Sequence, residues 1–336
     1  MVKWWGCSAT NRASGRAPMS ELTIVTAADA SYVPQARVLA RSLKQSQPCP
    51  VSLTVLGTGW SRGDIDKLHR AGGDHVSARV IDPGDPRAGQ VRSLRHGFPV
   101  ASTYSVLAPQ MKEFDGLERI VYLDADTVVR SDLGPLFTRP MSTPVAAVVD
   151  AHVALMGMPS MWRAWREEEV DPLAPYLNTG VMAIQVLDWR EQRLTDRVFE
   201  VLHRHALPCV DQDALNLVLG GRFDRLEPRW NLMPYHLMKL LRTSDLVESD
   251  EALAAAITDP VIVHYHRSFL GKPWQFGCSH PARNLWRRLA STIGVRKRSV
   301  SIRDTVRNSG ARAVGMSVLD PRCGQLEQLS TTDSVT

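Results

Sequence analysis

Two carboxylates one residue apart, Asp124 and Asp126, stand directly behind the apolar run Ile120-Val121-Tyr122-Leu123. Held about 4 Å apart they repel by roughly 4 kcal/mol at an effective dielectric near 20, so a fold that keeps both ionised usually supplies a cation. A hard divalent ion suits such a pair, and it also takes phosphate oxygens and water. The alternative is a turn in which Asp124 caps a helix and Asp126 is solvated. Further polar groups follow other apolar runs: Asp150, Asn178-Thr179-Gly180, Asp211-Gln212-Asp213 and His264. Each also has a purely structural reading: Asp150 as a strand-end carboxylate, Asn178 as a turn residue, Asp211 as a helix N-cap and His264 as a half-buried histidine.

The elements that must position these groups are short. Leu22–Ala27, Val51–Leu56, Val76–Ile81, Arg119–Leu123, Val145–Val149 and 181–186 read as buried strands, and 261–263 as a further one ending at His264. Segments 34–44 and 61–70 show helical spacing, and 211–213 open another helix. Such alternation predicts an α/β fold, Rossmann-like, with a mostly parallel sheet flanked by helices. Ligands in these sheets sit beyond the carboxyl ends of the strands, where Ala27-Ala28-Asp29, Asp124-Ala125-Asp126 and Asp150 fall. We expect an extension over 1–20, one domain over 21–290 and a basic, loosely ordered Ser/Arg/Thr-rich tail over 291–336.

The chain has 336 residues, 44% hydrophobic and 22% charged, which excludes a polyelectrolyte or a membrane bundle. No run approaches the roughly 18 apolar residues of a spanning helix. The first twenty residues lack the apolar core of a signal peptide. Five scattered cysteines suit a reducing compartment, so a cytoplasmic location is expected. The net charge of +5 is concentrated at the two ends, leaving the body near neutral, which speaks against a nucleic-acid partner.

Taken in order, the motifs resemble glycosyltransferase family 8, the retaining GT-A enzymes that include glycogenin and lipooligosaccharide galactosyltransferases. The resemblance rests on five pieces: 23–32 with Asp29 and Tyr32, Tyr122-Leu123-Asp124-Ala125-Asp126 with 132–137 behind it, Tyr176 to Met182, Asp211 to Asn216, and His264-Tyr265 with Lys272-Pro273-Trp274. It implies that Asp124, Asp126 and His264 hold Mn²⁺ (or Mg²⁺) on the diphosphate of a UDP-sugar. Asp29 and Tyr32 would hold the uracil, Ala27 would line that loop, and Asp124 and Lys272 would face the phosphates. Asp150 and Asn178 would surround the transferred hexose, glucose or galactose. Gln212 and Asp211 would flank the reacting carbon. Gln212 offers only an amide oxygen, so front-face attack is the expected route to retention, with Asp211 as the fallback nucleophile.

The chain departs from the family pattern in places. Val106 stands where a basic residue is usual, with Arg92 or Arg95 upstream as substitutes. The closing segment is two residues longer than usual, which makes His266 and Arg267 further candidates for phosphate contact. Two other readings are weighed: a catalytically impaired nucleotide-sugar-binding scaffold, and a haloacid-dehalogenase-type phosphatase, which lacks its second acidic pair here. The acceptor, whether saccharide, lipid-linked or small-molecule, is not legible. Residues 284–298 carry Trp286, Leu289 and Ile293 beside Arg287, Arg288 and 296–298. They form either a helix on the inner membrane face or one packed on the domain with its charges solvated.

Overall fold

The computed structural model describes residues 21–91, 100–157, 162–239, 242–295 and 319–332. Its strands are β1 (Leu22–Ala27), β2 (Val51–Leu56), β3 (Val76–Ile81), β4 (Arg119–Leu123), β5 (Thr127–Val129), β6 (Val145–Val149), β7 (Leu177–Gln185), β8 (Asp224–Arg225) and β9 (Ile262–His264). Seven of them form one sheet in the order β3-β2-β1-β4-β7-β6-β8. The β3-β2-β1-β4 half is parallel, whereas β7 runs antiparallel to both β4 and β6.

Alternate residues of each strand face opposite layers. Val25, Ile120 and Tyr122 enter one apolar cluster, and Ile24, Val121 and Leu123 enter the other. Where both faces are covered, as in β4 after Arg119 and throughout β6, the strands read as unbroken apolar runs, whereas the edge strand β3 exposes Ser77 and Arg79. A buried strand with a polar start is β7, which begins at Leu177 and carries Asn178, Thr179 and Gly180 within the strand. Asn178 is therefore not a turn residue; its amide is satisfied by neighbouring side chains, so a polar residue is accommodated in a buried strand. Between the strands lie the helices Val33–Ser46 and Arg62–Gly72, the latter capped by Ser61, whose side chain accepts from the Asp64 N–H. Where β2 ends, a Cβ on Gly57 would lie 1.8 Å from the Ala28 carbonyl oxygen, so only glycine lets this turn pass the loop after β1.

A small second sheet pairs β5 with β9, Thr127 standing opposite His264. Beneath it lies a third apolar cluster containing Val128, Val263, Tyr265, Trp286 and Leu289. The helix Arg283–Thr292 turns Leu285, Trp286 and Leu289 inward, and Trp286 packs 5.2 Å from Trp274 between ring centroids. The apolar side that a membrane surface would need is thus covered by the domain, each buried leucine gaining about 1.5–3 kcal/mol. Residues 296–298 lie outside the described residues. No helix among the described residues is long and apolar enough to cross a membrane.

Part of the tail rejoins the domain. Leu319 bridges to Met238, and Cys323 and Leu326 are buried in the third cluster. Asp320 meets the Arg242 guanidinium at 3.2 Å, both side chains being only 2% exposed, and Arg242 also donates to the His236 carbonyl. Composition averaged over 291–336 conceals this short segment, which needs only two apolar residues and one carboxylate matched to a buried cation. Asp245 also meets Arg242 at 2.5 Å and Arg322 meets Asp320 at 2.6 Å, so Asp320→Ala leaves Arg242 one partly exposed counter-charge and should lower stability by about 1–3 kcal/mol in urea unfolding. The double substitution Arg242→Met, Asp320→Leu should recover most of that loss. A cost near zero for the single substitution would show that the pair is solvated.

Candidate active site

Two strand registers bring the carboxylate pair and the histidine together. Leu123 pairs with Val181, so the Asp124 N–H donates to the Gly180 carbonyl at 2.8 Å. The β5–β9 pairing makes the Tyr265 N–H donate to the Asp126 carbonyl at 2.9 Å. As a result one donor atom each from Asp124, Asp126 and His264 lies within 4.8 Å of the others. His264 Nε2 faces Asp124 Oδ2 at 3.4 Å and Asp126 Oδ1 at 3.3 Å, and it is buried with no hydrogen-bond partner. Those separations are long for charge-assisted hydrogen bonds. They approach the roughly 3 Å edge between adjacent ligands of an ion with bonds near 2.1 Å. A Cβ on Gly180 would lie 2.2 Å from His264 Cε1 and 2.9 Å from Asp124 Oδ2, so glycine keeps the space between the three ligands open. The residues present fit a divalent cation. Asp126 is buried, which removes the solvated-turn alternative for it.

Charge balance explains how the cluster stands. Burial alone would raise the Asp126 carboxyl, but Lys272 and His264 more than offset it and hold the group well below the usual carboxylate range. Lys272 Nζ lies 2.5 Å from Asp126 Oδ2. Burial would likewise lower His264, yet Asp124 and Asp126 push its ring up to about 9. A bound ion would displace that ring proton. The longer closing segment still brings Lys272 to this point, where the ammonium lies 3.3 Å from the Tyr32 hydroxyl and over the Tyr32 and Trp274 rings at 5.6 and 5.3 Å. Asp29 caps the turn after β1, its Oδ1 accepting from the Ser31 N–H at 2.8 Å and the Ser31 hydroxyl at 2.6 Å. Ala27 ends β1, half-buried, just before it. The loop after β1 and the closing segment thus meet over the carboxylate pair through Tyr32 and Lys272.

A second polar group adjoins the first. Asp150 Oδ1 accepts from the His152 and Val153 N–H groups at 2.9 Å each, and Oδ2 accepts from Asn178 Nδ2 at 2.9 Å and Gln212 Nε2 at 3.2 Å. Burial would raise this carboxyl, but the nearby His266 and these donors hold it below its ordinary value. Gln212 Oε1 accepts from Asn178 Nδ2 at 3.1 Å and the Thr179 N–H at 3.2 Å, so its oxygen is engaged within the protein. Asp211 differs: burial, reinforced by the Asp124 charge, pushes its carboxyl up to about 8, with the Ser105 hydroxyl donating at 3.1 Å. Burial thus favours its neutral form, and a neutral carboxyl is a poor nucleophile. Just before it, Val210 has φ 22°, a strained value for a β-branched residue.

Several participants are given no role by the sequence reading. Tyr122 donates its hydroxyl to Asp124 Oδ1 at 3.0 Å, although its position in a strand reads as core. Asn231, buried in a short turn, bonds both His264 and Asn178. Val106 is fully buried in the main core, so this position offers no ligand group, and Arg92 and Arg95 lie outside the described residues.

Residues 23–278 match the sequence profile described as Glycosyl transferase family 8. The chain belongs to glycosyltransferase family 8. Similar curated proteins include General stress protein A of Bacillus subtilis, 32% identical over 55% of this chain and 62% of that protein. Lipopolysaccharide 1,2-glucosyltransferase of Escherichia coli is 29% identical over 57% of this chain and 55% of its own length. The matches thus span between about half and three fifths of these relatives. Among solved structures, the WbbM bifunctional glycosyltransferase superposes with a TM-score of 0.67 at 22% identity, covering 83% of this chain and 52% of that one. The galactosyltransferase LgtC, in complex with donor and acceptor sugar analogues, gives 0.65 at 20% identity, covering 85% and 100%. Both share the GT-A fold of the family 8 domain. The phosphatase reading falls with the family membership.

Gly180→Ala should leave the fold assembled but weaken Mn²⁺ binding about 10-fold or more, because the added methyl displaces His264; unchanged binding in a Mn²⁺ titration would show that the ligands lie elsewhere. Asp211 yields a pH signature. The folded chain keeps a proton there between pH 5 and 8 that the unfolded chain has released, so this group's contribution to stability falls as pH rises. Asp211→Asn removes the effect and should gain on the wild type by up to about 1.4 kcal/mol per pH unit across that window in denaturant midpoints. A difference independent of pH would mean that Asp211 is ionised.

Proposed function

We propose that this family 8 member is a retaining hexosyltransferase that moves glucose or galactose from a UDP-sugar to a hydroxyl of a saccharide, lipid-linked or small-molecule acceptor. The observation that carries the reading is the meeting, at the carboxyl ends of the strands, of a three-ligand cluster, a lysine beside it and an acid–amide group next to both. Asp124, Asp126 and His264 would hold the ion, and imidazole among the ligands favours Mn²⁺ over Mg²⁺. Once bound, the ion supplies Lewis-acid neutralisation of the diphosphate.

Every other contribution falls to side chains. Lys272 pairs with the diphosphate, adding a fixed positive charge where negative charge develops. Ala27, Asp29 and Tyr32 receive the nucleoside. Asp150 and Asn178 face the sugar, with Gln212 linked to both. The bond from the anomeric carbon to the diphosphate oxygen breaks, and the acceptor oxygen bonds to the same face. The acceptor proton passes to the departing phosphate oxygen, giving UDP and the glycoside. The engaged oxygen of Gln212 supports this front-face course over a covalent one. A cytoplasmic location is part of the same proposal, resting on the five scattered cysteines of the sequence.

Incubation with Mn²⁺ and UDP-glucose, UDP-galactose, UDP-xylose or UDP-N-acetylglucosamine should release UDP from one of the two hexose donors, and chelator should abolish the release. Asp126→Ala should lower it about 100-fold or more, as loss of several kcal/mol of charge stabilisation requires. Full activity in chelator, or a product of inverted anomeric configuration by NMR, overturns the reading. Tight UDP-sugar binding without turnover would leave the scaffold in its place.

A further inference from the structure

A line of buried amides connects the Asp150 carboxylate to the far side of the metal-site histidine, and its polarity is fixed at one end. An ionised carboxylate only accepts. Asn178 therefore turns its NH₂ to Asp150 Oδ2 at 2.9 Å, and its Oδ1 faces the other way, accepting from the Gly180 N–H at 3.0 Å and from Asn231 Nδ2 at 2.9 Å. With its NH₂ used in this manner, Asn231 presents Oδ1 to His264 Nδ1 at 3.0 Å. An amide oxygen also only accepts, so Nδ1 must carry a hydrogen.

We infer that Asn231 is a positioning residue that holds His264 in the tautomer presenting the Nε2 lone pair to the metal, its own orientation being set by Asp150 through Asn178. Every link is enclosed: Asp150 is 6% exposed, Asn178 5%, Asn231 0% and His264 1%. Water cannot relieve a reversed amide here, and any reversal sets two acceptors or two donors face to face in a low dielectric. The residues proposed to face the sugar therefore also determine which nitrogen faces the ion. The inference rests on the metal-dependent reading above.

Two substitutions separate positioning from mere support. Asn231→Leu removes the acceptor at Nδ1 and should weaken Mn²⁺ binding about 10–100-fold, the usual cost of losing a partner behind a metal ligand. Asn231→Asp keeps an acceptor there and should bind Mn²⁺ within a few-fold of the wild type, although it buries a charge, sets a carboxylate oxygen against Asn178 Oδ1 and should for both reasons unfold at lower urea than Asn231→Leu. Affinity and stability thus rank the two variants in opposite order. Mn²⁺ binding would be followed by electron paramagnetic resonance with and without UDP, and the ring nitrogens by ¹⁵N NMR of the Mg²⁺-loaded protein. The wild type and Asn231→Asp should show a protonated Nδ1, a signature lost in Asn231→Leu. Wild-type affinity in Asn231→Leu, or affinities that follow stability in both variants, overturns the inference alone. Failure of the wild type to bind Mn²⁺ under either condition overturns the metal reading and this inference with it.

Discussion

Asp124 and Asp126 repel each other, and neither can move apart. The first is tied through its backbone to β7, the second through its own to the residue after β9. Strand pairing holds the carboxylates where electrostatics would separate them, and positive charge must gather around the pair. The protonated ring of His264 and the ammonium of Lys272 supply it from opposite sides. Much of the surrounding architecture serves to deliver those two cations, including the β5–β9 ribbon, the closing segment and the packing of Trp274 on Trp286.

What the sequence makes legible follows from the same physics. β1 to β4 and β6 could be bounded from the residue pattern, because each is a short run rich in β-branched and apolar residues, fully apolar in β6 where both faces are covered. β7 could not be bounded at its start, because Asn178 and Thr179 are satisfied by side chains distant in sequence. Of the site, the carboxylate pair and His264 stand at strand ends where the pattern already points. Tyr122, Gly180 and Asn231 owe their roles to neighbours that only the folded chain assembles, and a tyrosine in an apolar run or an asparagine in a turn has no local mark of such a role. The Arg283–Thr292 segment was ambiguous for a related reason: an apolar stripe beside basic residues looks alike whether a domain or a lipid surface covers it.

The two halves of the site are not independent. Asn178 donates towards Asp150 and Gln212 and accepts from Gly180 and Asn231, so one amide joins the acid–amide group to the cluster of Asp124, Asp126 and His264. A change that rotates this side chain alters both halves together. Enclosed networks of this kind are rigid when every member is satisfied and costly when one is not.

The Arg242–Asp320 pair gives the chain a temporal order. Thr243, next to Arg242, accepts from the Ala154 N–H at 3.1 Å and donates its own N–H to the Ala151 carbonyl at 2.9 Å, so it braces the turn that wraps Asp150. Arg242 emerges during synthesis 78 residues ahead of Asp320. At about 5–20 residues per second, roughly 4–16 s pass in which the guanidinium has only the partly exposed Asp245 as counter-charge and not the buried one. Until Asp320 is made, the turn that braces Asp150 therefore lacks its only buried counter-charge among the described residues.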